Sequence, residues 1–332
     1  MSALRRIGVA IAAAALAVTG SVTQPAAAAE PDPYTTPGGH IVAGRLWQTT
    51  CEMYSSDVVR CTSSIWSTKV SYSGGAYRSV TGWAFNNLTY LPSARARWAG
   101  NPLGNTGAWT DAAGRRWRTE CDTPATGRGG CRTYTEVDYG ALVGGRYVTR
   151  TGFVFNNLVR FAHGGVAPVR TVPPHVLDVS RLTFTGLGPL QAGGDEEDWF
   201  RLGYVVRSEI CDSYQSSRVL LDRGIDVDGR ADVSVSRPGI LTAAGAKVGM
   251  TVAQVRAIYG SAFRVEARQN YGETQYFGSV RSGDRELFFR VRGAADGHGG
   301  YAYGPTVPLV GSDVIVEISS QRYTTDVTFD GC

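Results

Sequence analysis

The chain has 332 residues, a formal net charge of +4 and 43% hydrophobic residues. That is enough for two or three domains, and a charge this small, carried by scattered arginines, excludes a nucleic-acid-binding protein. The charge is also divided. Residues 30–170 carry 15 Arg/Lys against 9 Asp/Glu, or +6, and residues 171–332 carry 16 against 20, or −4.

Residues 1–29 read as a secretory signal peptide. Arg5 and Arg6 precede an apolar run over 7–18, and small residues at Ala27 and Ala29 mark cleavage before Glu30. The run is too short to span a bilayer. No later segment is apolar enough to do so, and no cysteine near the cleavage site offers a lipid anchor. The protein is expected to be secreted, with no membrane span. Arginine outnumbers lysine 31 to 2, which fits a GC-rich bacterial coding sequence.

Residues 30–43 read as a flexible tail. From Gly44 the sequence repeats: 44–91 falls on 114–161 without a gap, with 15 identities in 48 positions. A gapless repeat marks one folding unit used twice. Gly44, Arg45, Trp47, Cys51, Cys61, Tyr77 and Phe85-Asn86-Asn87-Leu88 recur as Gly114, Arg115, Trp117, Cys121, Cys131, Tyr147 and Phe155-Asn156-Asn157-Leu158.

Six cysteines fit an oxidising compartment. Cys51–Cys61 and Cys121–Cys131 share one spacing, so each copy most simply closes its own bridge, leaving Cys211 with Cys332. Loop entropy assigns about 2.8 kcal/mol to each short bridge and about 4.9 kcal/mol to the long one. Metal binding is the rival use, but there is no C-x-x-C pair and there are only four histidines. Each repeat reads as a three-stranded antiparallel meander. Strands over 45–51 and 58–70 are joined at Ser55-Ser56-Asp57, and Gly74-Gly75 leads to a third strand over 77–85. Three strands are close to the minimum for independent stability, so the copies are expected to pack together. The paired asparagines suit a tight strand exit.

Breakers concentrate over 164–175, which reads as a linker between a β domain over 44–163 and an α+β domain over 176–332, the two folding separately. In the second domain Asp195 caps a helix that Gly203 stops, and the acids Asp195-Glu196-Glu197-Asp198 complement its dipole. Thr251 caps another, Gln254 completes a capping box, and Gly260 ends it. Strand-like runs cover 218–222, 231–237, 274–280, 286–291, 314–319 and 326–329, so the domain reads as helices on an antiparallel sheet.

The segment Val248-Gly249-Met250-Thr251 with Gln254-Val255 and Gly260 resembles the opening of repeats in beta-lactamase inhibitory proteins and SmpA/OmlA-type envelope lipoproteins. That resemblance implies a short helix against an antiparallel sheet and the binding of other proteins. The anchor cysteine of the lipoproteins is absent. The tandem repeat, and the frame from Gly186-Leu187-Gly188-Pro189 to Asp330-Gly331-Cys332, resemble secreted bacterial proteins to which no activity is attached.

No Gly-x-Ser-x-Gly elbow, His-Glu-x-x-His or phosphate-cradling glycine loop is present. Of the four histidines only His298 sits in a domain loop, where an exposed residue is the simpler reading. No catalytic residue, metal or cofactor is assigned, and the sequence leans away from an enzyme. The strand over 131–139 alternates, with Arg132, Tyr134, Glu136 and Asp138 on the solvent face. Trp66 corresponds to Glu136 and is expected to point outward. Trp98 and Trp109 lie between the repeats without aromatic counterparts. Two uses are open for these three: contact with a cell-wall polysaccharide or an extracellular protein, or cover for the seam between repeats. The favoured class is a secreted non-catalytic binding protein of the envelope or extracellular space. A hydrolase of unfamiliar type acting on an extracellular polymer and an inhibitor of a secreted enzyme are the alternatives.

Overall fold

Glycine pairs and alternating side chains lay out the first half as long hairpins. A computed structural model describes residues 31–209, 213–228, 232–293 and 303–325. The segment expected as a signal peptide, His298, the proposed Cys211–Cys332 bridge and the strand expected over 326–329 lie outside the described residues. Four strands make the first unit: β1 (Gly38–Val42), β2 (Arg45–Ser55), β3 (Val58–Ser73) and β4 (Ala76–Ser93). Four make the second: β5 (Gly107–Thr110), β6 (Arg116–Cys121), β7 (Gly130–Val143) and β8 (Arg146–Phe161).

The repeat is thus four-stranded, not three-stranded, because a strand precedes each Gly-Arg-x-Trp segment. In the first copy that strand occupies the stretch expected as a flexible tail. Nor do the copies stay separate. They join edge to edge in one eight-stranded mixed sheet of order β1-β2-β3-β4-β8-β7-β6-β5, with β4 and β8 parallel. Within each copy the pairing is antiparallel.

The register at the parallel seam decides which way the copies face. Leu88 lies opposite Asn157 and Thr89 opposite Leu158. Side chains alternate along a strand, so Leu88 and its duplicate Leu158 point to opposite faces. A pseudo-two-fold axis runs along the seam, and what faces the back of the sheet in the first copy faces the front in the second. The Asn-Asn pair sits inside the strand rather than at its exit. Ser63 pairs with Asn87 and Ser64 with Phe85, and in the second copy Thr133 pairs with Asn157 and Tyr134 with Phe155. Asn86 and Asn156 are therefore the extra residues of β-bulges, which switch the side-chain phase along β4 and β8.

Both bridges form, Cys51–Cys61 and Cys121–Cys131, each across an adjacent strand pair. Trp47 and Trp117 are both 9% exposed, as duplicated core residues should be. The back of the first copy is covered by the segment before β1. Tyr34 meets Trp47 edge-on with ring centroids 5.4 Å apart, and the Pro33 carbonyl accepts from the Thr49 and Ser63 hydroxyls. Val169, of the expected linker, packs near the Cys51–Cys61 bridge.

The second half carries α1 (Val176–Val179), a three-stranded sheet of β9 (Leu182–Thr183), β10 (Gly186–Leu187) and β11 (Leu190–Gln191), then α2 (Glu196–Leu202). A two-stranded ribbon, β12 (Val205–Arg207) with β13 (Tyr214–Ser216), leads to α3 (Arg218–Leu221). The run expected as a strand at 218–222 is this helical turn. Its amides at Leu220 and Leu221 donate to the Ser217 carbonyl, and Leu220 is buried. β14 (Ile225–Val227), β15 (Val233–Val235), α4 (Val252–Tyr259), β16 (Arg264–Asn270), β17 (Glu273–Ser282), β18 (Arg285–Val291) and β19 (Ile315–Arg322) follow. The six strands make an antiparallel sheet of order β14-β15-β19-β18-β17-β16. The capping box of α4 is present, with Thr251 and Gln254 exchanging backbone hydrogen bonds. Asp195 caps α2, and Gly203 ends it at φ 80°.

The junction between the halves is packed. Leu46 of β2 belongs to the apolar core of the second half, with Leu202, Tyr204 and Trp199, and Trp66 and Trp83 pack against it. The Tyr204 hydroxyl accepts from the Gly39 amide and donates to the Gly39 carbonyl, both at 2.8 Å. A Cβ at Gly38 would stand 2.7 Å from His175 Nε2, so only glycine lets β1 pass this close. These contacts join the halves directly, beyond the chain connection.

Candidate binding surface

The three tryptophans singled out by sequence lie in three different environments. Trp98 is 2% exposed. Its ring meets Tyr90 edge-on at 5.0 Å, its indole N–H donates to Ser93 Oγ at 2.9 Å, and it packs with Val159 and Phe161 over the β4–β8 seam. It is a seam cover with no face left for a ligand. Trp66 leaves the repeat sheet on the front face, as its alternation predicts, but the second half closes over it. Its ring meets Trp83 at 5.5 Å, and the Arg201 guanidinium of α2 sits 5.6 Å from the ring centroid. Trp109 keeps a partly exposed ring, stacked on Trp117 with centroids 5.2 Å apart and planes 4° from parallel. Asp111 anchors that stack. The Trp117 indole N–H, then the Arg115 backbone N–H, hold its carboxyl below the usual carboxylate range.

A different surface emerges from the pseudo-symmetry. The front-face positions Leu46, Trp66 and Trp83 of the first copy become Arg116, Glu136 and Phe153 on the back of the second. Phe153 is 39% exposed there. The side chains of this face are held mainly by one another. Arg118 lies over Tyr134 at 5.1 Å and over Phe153 at 5.3 Å, and Arg132 lies over Phe155 at 5.1 Å. Tyr134 and Phe155 are edge-on at 6.1 Å, and Arg116 Nε donates to Glu136 at 2.6 Å. Cross-strand neighbours on one face are within reach of each other, and here the product is a row of rings alternating with guanidinium groups. The charged alternation over 132–138 marked this as a solvent face. Phe153 and Phe155 lie opposite Glu136 and Tyr134 in the unbroken register that runs back from the Gly144-Gly145 turn, and counting from that turn is the signal that places them on this face.

Other titratable clusters have structural work. Arg268 and Glu286 are both buried. Glu286 accepts from Arg268 Nη1 and Nη2 at 2.6 and 2.5 Å, from Ser279 at 2.6 Å and from Gln321 at 3.0 Å. A buried pair needs its remaining hydrogen bonds met; the carboxylate's are, while Arg268 Nε is buried with no partner among the described residues. Burial opposes the charge on neighbouring Glu266, but Arg281 and Arg268 hold its carboxyl below the usual range. At the start of α2, Asp195 is the cap, and Glu197 and Asp198 pair with Arg201 and Arg207, while burial, then Asp228 and Asp195, push the Glu196 carboxyl above its usual range. At the junction, His175 Nδ1 accepts from the Leu177 amide at 3.2 Å. Burial, helped by Arg223, pushes its pKa down to about 4. A cavity of about 320 Å³ is lined by Gly193, Asp232, Arg285, Arg322, Tyr323 and Thr324. Among these described lining residues Asp232 is the one carboxylate.

No family model matches the chain, and no curated protein or solved structure shows detectable similarity to it.

Proposed function

We propose that this is a secreted, non-catalytic binding protein, and that the open back face of the second repeat engages an anionic cell-wall polysaccharide. The observation that carries this reading is the exposed Phe153 ring beside Tyr134, with the Arg118 guanidinium over both. Aromatic rings offer flat apolar faces to sugar rings. Guanidinium groups present several donors to hydroxyl, carboxylate or phosphate oxygens. A pleated sheet holds both in a fixed row without a cleft, which suits an extended polymer. The two disulfides fit an oxidising location. No helix among the described residues is long and apolar enough to cross a membrane.

The test is retention of the purified protein on cell-wall polysaccharide. The double variant Arg118→Ala, Phe153→Ala should lose at least about tenfold in affinity, the scale of one or two ring and charge contacts. Trp66→Ala, on the covered counterpart face, should keep the affinity of the parent chain. Equal retention by all three proteins removes the reading.

A further inference from the structure

We propose that the paired hairpin arms of the two repeats form a tip that docks on a lipid bilayer carrying anionic headgroups. This goes beyond the polysaccharide reading and uses a different surface.

β3 and β4, and likewise β7 and β8, run past the covered core for about seven residues per strand, roughly 23 Å of hairpin at the strand rise. The two arms hold each other through duplicated positions. Tyr77 and Tyr147 have ring centroids 5.8 Å apart, and the Tyr77 hydroxyl is 2.9 Å from that of Thr149. Gly140 lets the strands close: a Cβ there would stand 3.2 Å from the Val70 side chain.

The outer surface of the second arm is apolar. Val137, Tyr139, Ala141 and Val143 share one side of β7, with Val148 of β8 opposite Ala141. Tyr139 is 43% exposed, Val143 42%, and Leu142 at the turn 63%. A period-two apolar face calls for a cover, and the first arm shows that the hairpin can exist without such a face. Its corresponding residues are Ser67, Lys69, Ser71, Ser73 and Arg78. The arms also carry Lys69, Arg78, Arg146 and Arg150 against the single acid Asp138, giving 4 − 1 = +3 over 67–82 and 137–152. Among the described residues none of these four cations is in an ion pair, and Asp138 accepts from the Thr151 hydroxyl at 2.5 Å.

The occupant must therefore supply apolar depth and negative charge together at the end of the two arms. An anionic bilayer supplies both. Leu142 and Val143 enter the acyl boundary, tyrosines lie at headgroup level, and arginine stems reach back to the phosphates. A second copy of the chain fits poorly. Arg146 and Arg150 sit on the same side as the apolar row, opposite Val143 and Tyr139, so row against row would oppose like charges.

The experiment is co-sedimentation of the full secreted chain with vesicles of phosphatidylcholine plus phosphatidylglycerol, and with vesicles of phosphatidylcholine alone. Binding should need the anionic lipid and weaken as salt rises. Leu142→Glu with Val143→Glu, and separately Arg146→Gln with Arg150→Gln, should each weaken it at least about tenfold, with unchanged circular dichroism and unchanged retention on polysaccharide. No vesicle binding by the parent chain overturns the proposal. So does binding that neither double variant alters, or a parent chain whose self-association the Leu142 and Val143 changes abolish.

Discussion

The two repeats are one unit in two settings. In the first, Leu46, Trp66 and Trp83 are covered by the chain's own second half, with Phe85 on the same side left 50% exposed, and the opposite face is covered by the segment around Tyr34. In the second, the positions matching Leu46, Trp66 and Trp83 are Arg116, Glu136 and Phe153, and they meet solvent. The inward pattern is shared: Trp47 with Trp117, Thr49 with Thr119, Asn87 with Asn157, and the cysteines are all duplicated. Packing inside the unit fixes those residues. The outward pattern is set by what lands on the unit, and there the copies differ residue by residue.

The largest effect should come from the shared interior. Trp47→Ala and Trp117→Ala should each cost about 3–5 kcal/mol, as full loss of a packed indole does, and by similar amounts because both are equally buried. Denaturant unfolding measures this. A cost confined to one copy would break the equivalence.

The bridges come next. Replacing Cys51 and Cys61 with serine should cost about 2.8 kcal/mol, and the same change at Cys121 and Cys131 should cost the same, since loop length is identical. A several-fold difference would show that the covering segments, not the loops, set bridge stability.

Acid should act on the first copy's junction. His175 is held neutral there with its pKa pushed down to about 4, below its unfolded value of about 6.5. Its contribution is therefore fully present above about pH 6.5 and is lost as pH falls toward 4. The loss should reach about 2 kcal/mol after allowance for partial exposure. His175→Asn keeps an acceptor for the Leu177 amide and should flatten that slope in unfolding measured from pH 7 to pH 4. The same slope in both proteins would place the acid sensitivity elsewhere.

The smallest effect lies on the outward faces. Trp83→Ala should cost about 2 kcal/mol because the second half packs on that ring. Its counterpart change Phe153→Ala should cost under about 1 kcal/mol. Calorimetry on the two variants sharpens the contrast, and equal costs would erase it.

Much of the fold was legible because its signals are local. The cysteine spacing gave both described bridges, Asp195 and Gly203 bounded α2, and Thr251 with Gln254 capped α4. The strands expected over 274–280 and 286–291 lie within β17 and β18, and that over 314–319 overlaps β19 from 315 to 319. Non-local features escaped. Nothing in the linear pattern sets the β4–β8 register, which merges the repeats into one sheet and turns duplicates to opposite faces. The strands before Gly44 and Gly114 are short and pair only with their own repeat, so they read as tail and spacer. The bulges at Asn86 and Asn156 look like turn chemistry because asparagine serves both. For the surface, alternation over 132–138 found the solvent side of β7. Trp98 packs over the β4–β8 seam and Trp66 against the second half through contacts with distant parts of the chain, which linear alternation does not show.

Hydroxyl-radical footprinting, read by mass spectrometry with and without cell-wall polysaccharide, tests the unequal covering of the repeats most directly. Tyr134, Phe153 and Phe155 should be labelled in the free protein and protected when polysaccharide is added. Trp98 should stay unlabelled and Trp66 weakly labelled in both conditions. Strong labelling of Trp66 in the free protein that the polysaccharide removes, with Phe153 unaffected, would contradict the account.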